Sequence, residues 1–82
     1  MKAMEIDSSQ WTDEMRQNAV KKLEELGYVR YALNKSLSPN NTGRSSITSY
    51  NDGEYGLYDK ATHNKKTTTY EELMSLTKED VQ

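Results

Sequence analysis

Aliphatic and phenylalanine side chains are scarce in this chain, and that scarcity limits the core that it can build. Seven Leu, two Ile and three Val give 12 of 82 residues, and there is no Phe. Chains below roughly 20% in these four residue types are often disordered. Six Tyr and one Trp supply large apolar area instead, and the net charge is only −2. We therefore expect a folded domain whose tyrosines complete the core.

Length and the absence of cysteine narrow the class of protein. Eighty-two residues suit one domain, and we expect residues 1–82 to form it, with 1–10 and 77–82 as loose ends. Because no cysteine is present, disulfides and thiolate metal ligands are excluded. A small secreted domain usually needs such cross-links, and the first residues contain no apolar signal-peptide run. These points predict a soluble cytoplasmic protein that does not enter the membrane.

The strongest periodic pattern predicts an amphipathic helix over residues 11–26. Apolar residues recur at intervals of four, four and three from Met15 to Leu26, and most of the positions between them are polar. Thr12 is suited to cap the amino end, because its hydroxyl can accept a hydrogen bond from an unpaired amide of the first turn. Gly27 can adopt the left-handed conformation that closes a helix.

The clearest local signal is a hairpin. Asp52 and Gly53 suit a two-residue type I′ turn, in which both residues have positive φ. This turn would join two β-type segments and place Tyr50 directly opposite Tyr55. Because apolar residues then fall on both sides, the hairpin is either covered on both faces or exposes a tyrosine patch.

The remaining segments complete a two-layer α+β fold. Residues 28–33 alternate in type as a strand does, and the polar stretch 34–46 is predicted to be a long loop. Lys65–Thr68 is a short, β-branched segment typical of an edge strand. Thr69 and Glu72 have the spacing of a capping box, which predicts a short second helix. We expect an amino-terminal helix, an antiparallel sheet of three to four strands and this short carboxy-terminal helix.

No motif in the sequence indicates catalysis, a metal or a cofactor. His63 is the one histidine, and no acid or nucleophile near it in sequence suggests a catalytic pair. Asp52, Glu54 and Asp59 lack the alternating ligand positions of a calcium-binding loop. Residues 40–46 lack the glycine run and the Lys-Ser/Thr pair that cradle phosphate. We therefore predict a protein that is not an enzyme and that binds neither metal nor cofactor.

One combination of residues remains as a candidate surface, because arginine and tyrosine are common at the centres of protein interfaces. The partner-binding residues that we predict are Arg44, Tyr50, Tyr55, Tyr58, Lys60, Lys65 and Lys66. Basic and aromatic residues also bind nucleic acids, although an isoelectric point near 5.3 disfavours that function. A third alternative is a structural subunit that assembles with its own copies. A protein partner is the leading prediction.

Three segments give the chain a resemblance to known proteins through its overall build. They are Leu26-Gly27-Tyr28, the hairpin Asp52-Gly53 with Tyr55-Gly56-Leu57-Tyr58-Asp59, and Thr69-Tyr70-Glu71-Glu72-Leu73. In this build the chain resembles the small accessory and host-takeover proteins, anti-defence proteins among them, that bacteriophages encode. The resemblance implies a non-enzymatic protein that binds and inhibits or modulates a host protein in the host cytoplasm. It rests on no family motif and implies no particular site residue.

Overall fold

Strands and helices are mixed along the chain, which confirms the α+β class. The computed structural model describes residues 1–31, 45–60 and 66–82. In chain order their elements are β1 (Met4–Asp7), α1 (Asp13–Glu25), β2 (Val29–Arg30), β3 (Ser46–Ser49), β4 (Glu54–Tyr58), α2 (Tyr70–Ser75) and α3 (Lys78–Val81). The four strands form one open sheet in the order β1-β3-β4-β2.

The sheet is mixed, so the prediction of a purely antiparallel sheet is wrong for one strand. Strands β1 and β4 both pair antiparallel with β3, whereas β2 pairs parallel with β4. The reason is the path of the chain: α1 returns it across the sheet, so that β2 runs in the same direction as β1. A helical crossover of this kind is the usual link between strands of the same direction. Because the β3–β4 hairpin also turns β4 into that direction, β2 and β4 lie parallel.

The hairpin between β3 and β4 is confirmed, but its turn and its register differ from the prediction. Tyr50 N donates to Glu54 O at 2.8 Å and Gly53 N to Tyr50 O at 3.1 Å, so three residues form the loop. Gly53 has a φ of 91°, and no described residue other than glycine has a positive φ, which excludes type I′. A type I turn followed by a left-handed glycine is the usual three-residue alternative. Tyr55 therefore pairs with Ser49 rather than Tyr50.

This shift of one residue decides which side chains enter the core, because neighbouring residues of a strand point to opposite faces. The core lies between one face of the sheet and the helices, and its residues form a single cluster. The sheet contributes Met4, Ile6, Ile47, Tyr55 and Leu57, and the helices and the turn after α1 contribute Ala19, Leu23, Leu26, Tyr28, Leu73 and Val81. Within this cluster, Tyr55 is 1% exposed.

Both chain ends are packed, so the prediction of loose ends is wrong. Ile6 in β1 and Val81 in α3 are buried in the core. Lys2 N donates to Val81 O at 2.7 Å, which joins the two ends directly. The alternation of buried and more exposed residues in β1 is a strand pattern, but it extends over only four residues. Such a short run was not recognised as a strand from the sequence.

The predicted helix ends are confirmed. Thr12 accepts a hydrogen bond from the backbone of Met15, and Gly27 follows α1 with a φ of 102°. Thr69 and Glu72 form the capping box of α2 in both directions. The predicted edge strand is not formed by its described residues, 66–68, and Lys65 lies outside the described residues. Thr68 N nevertheless donates to a carbonyl of β1 at 2.8 Å, so this segment covers part of that edge.

Candidate functional site

The side of the sheet that faces away from the core is here called the outer face. Strand alternation and the observed register define its residues. They are Glu5, Asp7, Val29, Tyr31, Ser46, Thr48, Tyr50, Glu54, Gly56 and Tyr58. Among the described elements the helices pack on the opposite side, in the core cluster. The outer face is therefore the side of the sheet that a ligand could contact.

Large apolar side chains are exposed on this face. Val29 is 61% exposed, Tyr31 36% and Tyr50 37%. Of the large hydrophobic residues that are exposed within the described ranges, only Met1 lies elsewhere. Single exposed apolar residues are ordinary, whereas a contiguous group of them indicates a contact surface.

Two tyrosines are joined over a glycine at the centre of the outer face. The hydroxyls of Tyr50 and Tyr58 lie 2.7 Å apart and form a hydrogen bond. The Tyr58 ring lies over Gly56, where a Cβ would come within 2.7 Å of ring carbons. A glycine at this position lets the ring lie against the backbone, an arrangement that also shields the weak strand position from water. The two rings are held in place before any partner binds.

The electrostatic environment keeps the Tyr50 hydroxyl protonated. Partial burial raises the pKa of Tyr50 well above its usual value, and the hydrogen bond between its hydroxyl and that of Tyr58 raises this pKa further. Tyr31 and Asp52 also raise the pKa, because each disfavours a nearby negative charge. The Tyr50 phenol is thus neutral, and its hydroxyl can donate or accept a hydrogen bond.

The predicted contact residues do not all lie together. Tyr50 and Tyr58 lie on the outer face as expected, whereas Tyr55 is buried and cannot serve as an exposed contact. Lys60 and Lys66 are exposed in the segments that follow β4 and precede α2. The remaining predicted residues, Arg44 and Lys65, lie outside the described residues.

Sequence reasoning missed two exposed residues of the outer face, Val29 and Tyr31. The alternation within residues 28–33 placed them correctly on one side of a strand. Both sides of that strand carry apolar residues, so the alternation alone does not identify the side that faces the core. The structure shows that Tyr28 is buried and that Val29 points away from the core.

A groove of about 600 Å³ adjoins the outer face at the β1 edge. It runs between β1, the end of β3 and the segment before α2. Its walls include Lys2, Glu5, Thr48, Tyr50, Lys66 and Glu72. Because both charge signs occur along it, the groove by itself does not indicate the charge of a ligand.

The charged residues at strand positions of the outer face are all acidic. They are Glu5 and Asp7 on β1 and Glu54 on β4, and Asp52 lies in the adjacent turn. Hydrogen bonds from the side chain and backbone of Ser9 lower the pKa of Asp7, so this carboxylate is charged at neutral pH. The outer face therefore combines exposed aromatic rings with negative charge.

The described residues offer no arrangement for metal chemistry or membrane insertion. No three His, Cys, Asp or Glu side chains within them lie close enough together to hold a metal ion. None of the helices described has the length and apolar content required to cross a membrane. His63 lies outside the described residues.

Comparison with known proteins identifies no family for this chain. No family model matches the chain, and no curated protein or solved structure is significantly similar to it. The class that the described residues define is a small two-layer α+β protein with one sheet face turned away from its helices. The functional argument accordingly depends on the geometry and charge of the outer face.

Proposed function

We propose that this chain is a non-enzymatic binding protein that holds a protein partner on its outer face. The observation that carries the proposal is the exposure of Val29, Tyr31 and Tyr50 on the same face of the sheet, on either side of β4. Tyrosine supplies large contact area with few rotatable bonds, and it is enriched among the residues that dominate binding energy.

Preorganisation supports the same function. The Tyr50–Tyr58 hydrogen bond and the ring contact over Gly56 fix two rings before binding. A fixed side chain loses less conformational entropy when a partner covers it, so more of the contact energy contributes to affinity. Tyr58 is in β4, and a strand holds a side chain more rigidly than a loop does.

The resemblance to phage-encoded proteins suggests which partner to seek. We propose that the protein acts as an inhibitor or modulator of a host protein in the bacterial cytoplasm. This part of the proposal rests on the build of the chain, namely the helix end at Gly27, the hairpin and the capping box at Thr69. A bacterial lysate is accordingly the source from which a partner should be captured.

The two other functions have less support. Nucleic acid would meet carboxylates at the strand positions of the outer face, and phosphate is repelled by them. Two copies meeting face to face would bring Asp7 and Glu54 of each near the acids of the other, which disfavours self-assembly through this surface. Each alternative remains a measurable outcome of the experiment below.

The test is a binding measurement with substituted proteins. The captured partner is identified by mass spectrometry, and its affinity is measured by calorimetry for wild type, Tyr31→Thr and Tyr50→Thr. Threonine keeps the strand preference of the position while removing the ring. We expect each substitution to weaken binding about tenfold or more, as residues at interface centres do.

The control is Lys21→Ala, which changes an exposed residue on α1. We expect its affinity to stay within about twofold of wild type, because isolated surface changes away from an interface have little effect. Circular dichroism would verify that every variant is folded. Unchanged affinity in both tyrosine variants would contradict the proposed surface.

A further inference from the structure

One end of the outer face brings two rings and two carboxylates together. Tyr50 and Glu54 pair directly, with Tyr50 N donating to Glu54 O at 2.8 Å. Side chains paired in this way lie about 5 Å apart at their Cβ atoms. Val29 pairs with Glu54 from the other side. The Glu54 carboxylate is therefore flanked by exposed apolar side chains on two strands.

Tyr31 and Asp52 belong to the same region. Tyr31 N donates to Tyr55 O at 2.8 Å, so Tyr31 lies beside β4 one residue beyond Glu54, and Asp52 is in the turn that joins Tyr50 to Glu54. Asp52 Oδ1 accepts a hydrogen bond from Glu54 N at 3.0 Å, so the turn holds this carboxylate next to Glu54. We call Tyr31, Tyr50, Asp52 and Glu54 the acidic corner of the outer face.

Neither carboxylate of this corner forms an ion pair within the described parts of the chain, although the Met1 ammonium donates a hydrogen bond to Asn51 O of the same turn at 2.8 Å. Within the described residues one ion pair is found, between Arg16 and Asp13 on α1 at 2.8 Å. It involves neither Asp52 nor Glu54. Asp52 is exposed and Glu54 is half-buried. A partner can therefore supply the missing positive charge without first breaking an ion pair to either carboxylate.

Arginine matches this combination of groups better than other cations do. Its guanidinium is flat, stacks on aromatic rings and donates paired hydrogen bonds to a carboxylate. We propose, building on the function proposed above, that the outer face docks a cationic segment of the partner, with an arginine of that segment stacked on the acidic corner. The charge of the face and its exposed rings select this occupant over a nucleic acid or a second copy of this chain.

The experiment uses a short peptide of alternating arginine and glycine as the probe. Labelled full-length protein is titrated with it at about 50 mM salt, so that surface charge is only partly screened, and amide shifts are followed by NMR. We expect the largest shifts at Tyr31, Tyr50 and Glu54. A lysine–glycine peptide of the same length should bind more weakly, because ammonium lacks the planar stacking geometry.

Two matched double variants separate local recognition from net charge. Asp52→Asn with Glu54→Gln removes both corner carboxylates, and the Asn amide oxygen can still accept the turn hydrogen bond. Glu14→Gln with Glu25→Gln makes the same change in net charge on exposed positions of α1. We expect the corner variant to bind the arginine peptide about fivefold more weakly, because two exposed carboxylates that can pair with the guanidinium are lost while the rings remain. The helix variant should change by less than about twofold.

Three results would overturn this inference: equal weakening in both double variants, shifts that centre on α1, or stronger shifts of the corner with oligo-dT than with the arginine peptide. Failure of this inference can be distinguished from failure of the proposed function. If Tyr50→Thr weakens binding of the captured partner but the arginine peptide causes no shifts at the acidic corner, only the arginine inference fails. If the peptide binds the corner while the captured partner tolerates Tyr31→Thr and Tyr50→Thr, only the proposed function fails.

Discussion

The two faces of the sheet use the same residue types for opposite purposes. On the core face, Tyr55 lies with isoleucine and leucine side chains and is 1% exposed. On the outer face, Tyr50 is 37% exposed and its hydroxyl is hydrogen-bonded to that of Tyr58. A chain with few aliphatic residues uses tyrosine as core on one side and as surface on the other. Residue type therefore does not identify the face, and the register of the strands does.

The largest expected difference between the faces is in the effect of removing a tyrosine ring on stability. Tyr55→Ala leaves a cavity in the core and should lower the free energy of unfolding by about 3–5 kcal/mol. Tyr50→Ala, on the outer face, should lower it by about 1 kcal/mol, mainly through the lost hydrogen bond. Urea unfolding followed by circular dichroism measures both. Equal losses would show that the two faces are not distinct.

Strand β1 allows the same comparison within a segment that was expected to be loose. Ile6→Ala should cost about 2–4 kcal/mol, because Ile6 is fully buried against the core. Thr48→Ala, a neighbouring outer-face substitution, should cost less than about 1 kcal/mol. The same urea experiment provides the measurement. A loss below about 0.5 kcal/mol for Ile6→Ala, the range of ordinary surface changes, would indicate that β1 does not pack as described.

Local signals made part of this fold predictable from sequence. The helix α1, its cap at Thr12 and its end at Gly27 follow from periodicity and capping. The capping box of α2 and the position of the hairpin follow from short motifs in the same way. Each of these features depends on residues near one another in sequence.

Features that depend on distant parts of the chain were not predictable. The pairing of β1 with β3 joins residues about 40 positions apart, such as Ile6 and Ile47. The parallel placement of β2 depends on how α1 crosses the sheet. The register of the hairpin depends on whether Asp52 adopts a positive φ, and a left-handed conformation at Gly53 alone suits a longer turn. Because of the longer turn, Tyr55 lies in the core and not on the predicted contact surface.

A glycine substitution tests how the outer face is built. Gly56→Ala should lower stability by about 1–2 kcal/mol, because the new Cβ displaces the Tyr58 ring. In a Tyr58→Ser background the same substitution should cost much less, since no ring lies over the position. Thermal unfolding of the four proteins completes a double-mutant cycle. Additive effects would contradict the described contact between the ring and the glycine.

The smallest effect concerns the charge of Asp7 on the outer face. Because hydrogen bonds from Ser9 lower its pKa in the folded protein, its stabilising contribution is present above the unfolded value of about 3.9. That contribution is lost as the pH falls through the lower, folded pKa. Ser9→Ala should raise the pKa of Asp7 towards its ordinary value and reduce this acid sensitivity.

Carboxyl NMR titration of wild type and Ser9→Ala measures the shift directly. Asp80 is the internal control, since hydrogen bonds from Thr77 lower its pKa independently of Ser9. Its titration should be the same in both proteins. If the pKa of Asp7 were equal in both proteins, the hydrogen bond from the Ser9 hydroxyl would not be the cause of the lowered pKa.

The most direct measurement is an NMR map of the protein bound to its captured partner. The proposed binding surface predicts that the largest amide changes cluster at Tyr31, Tyr50 and Tyr58. Residues on the far side of the molecule, such as Lys21 on α1, should change little. Changes centred on α1, with the outer-face tyrosines unaffected, would contradict the proposal that this face is where the protein binds.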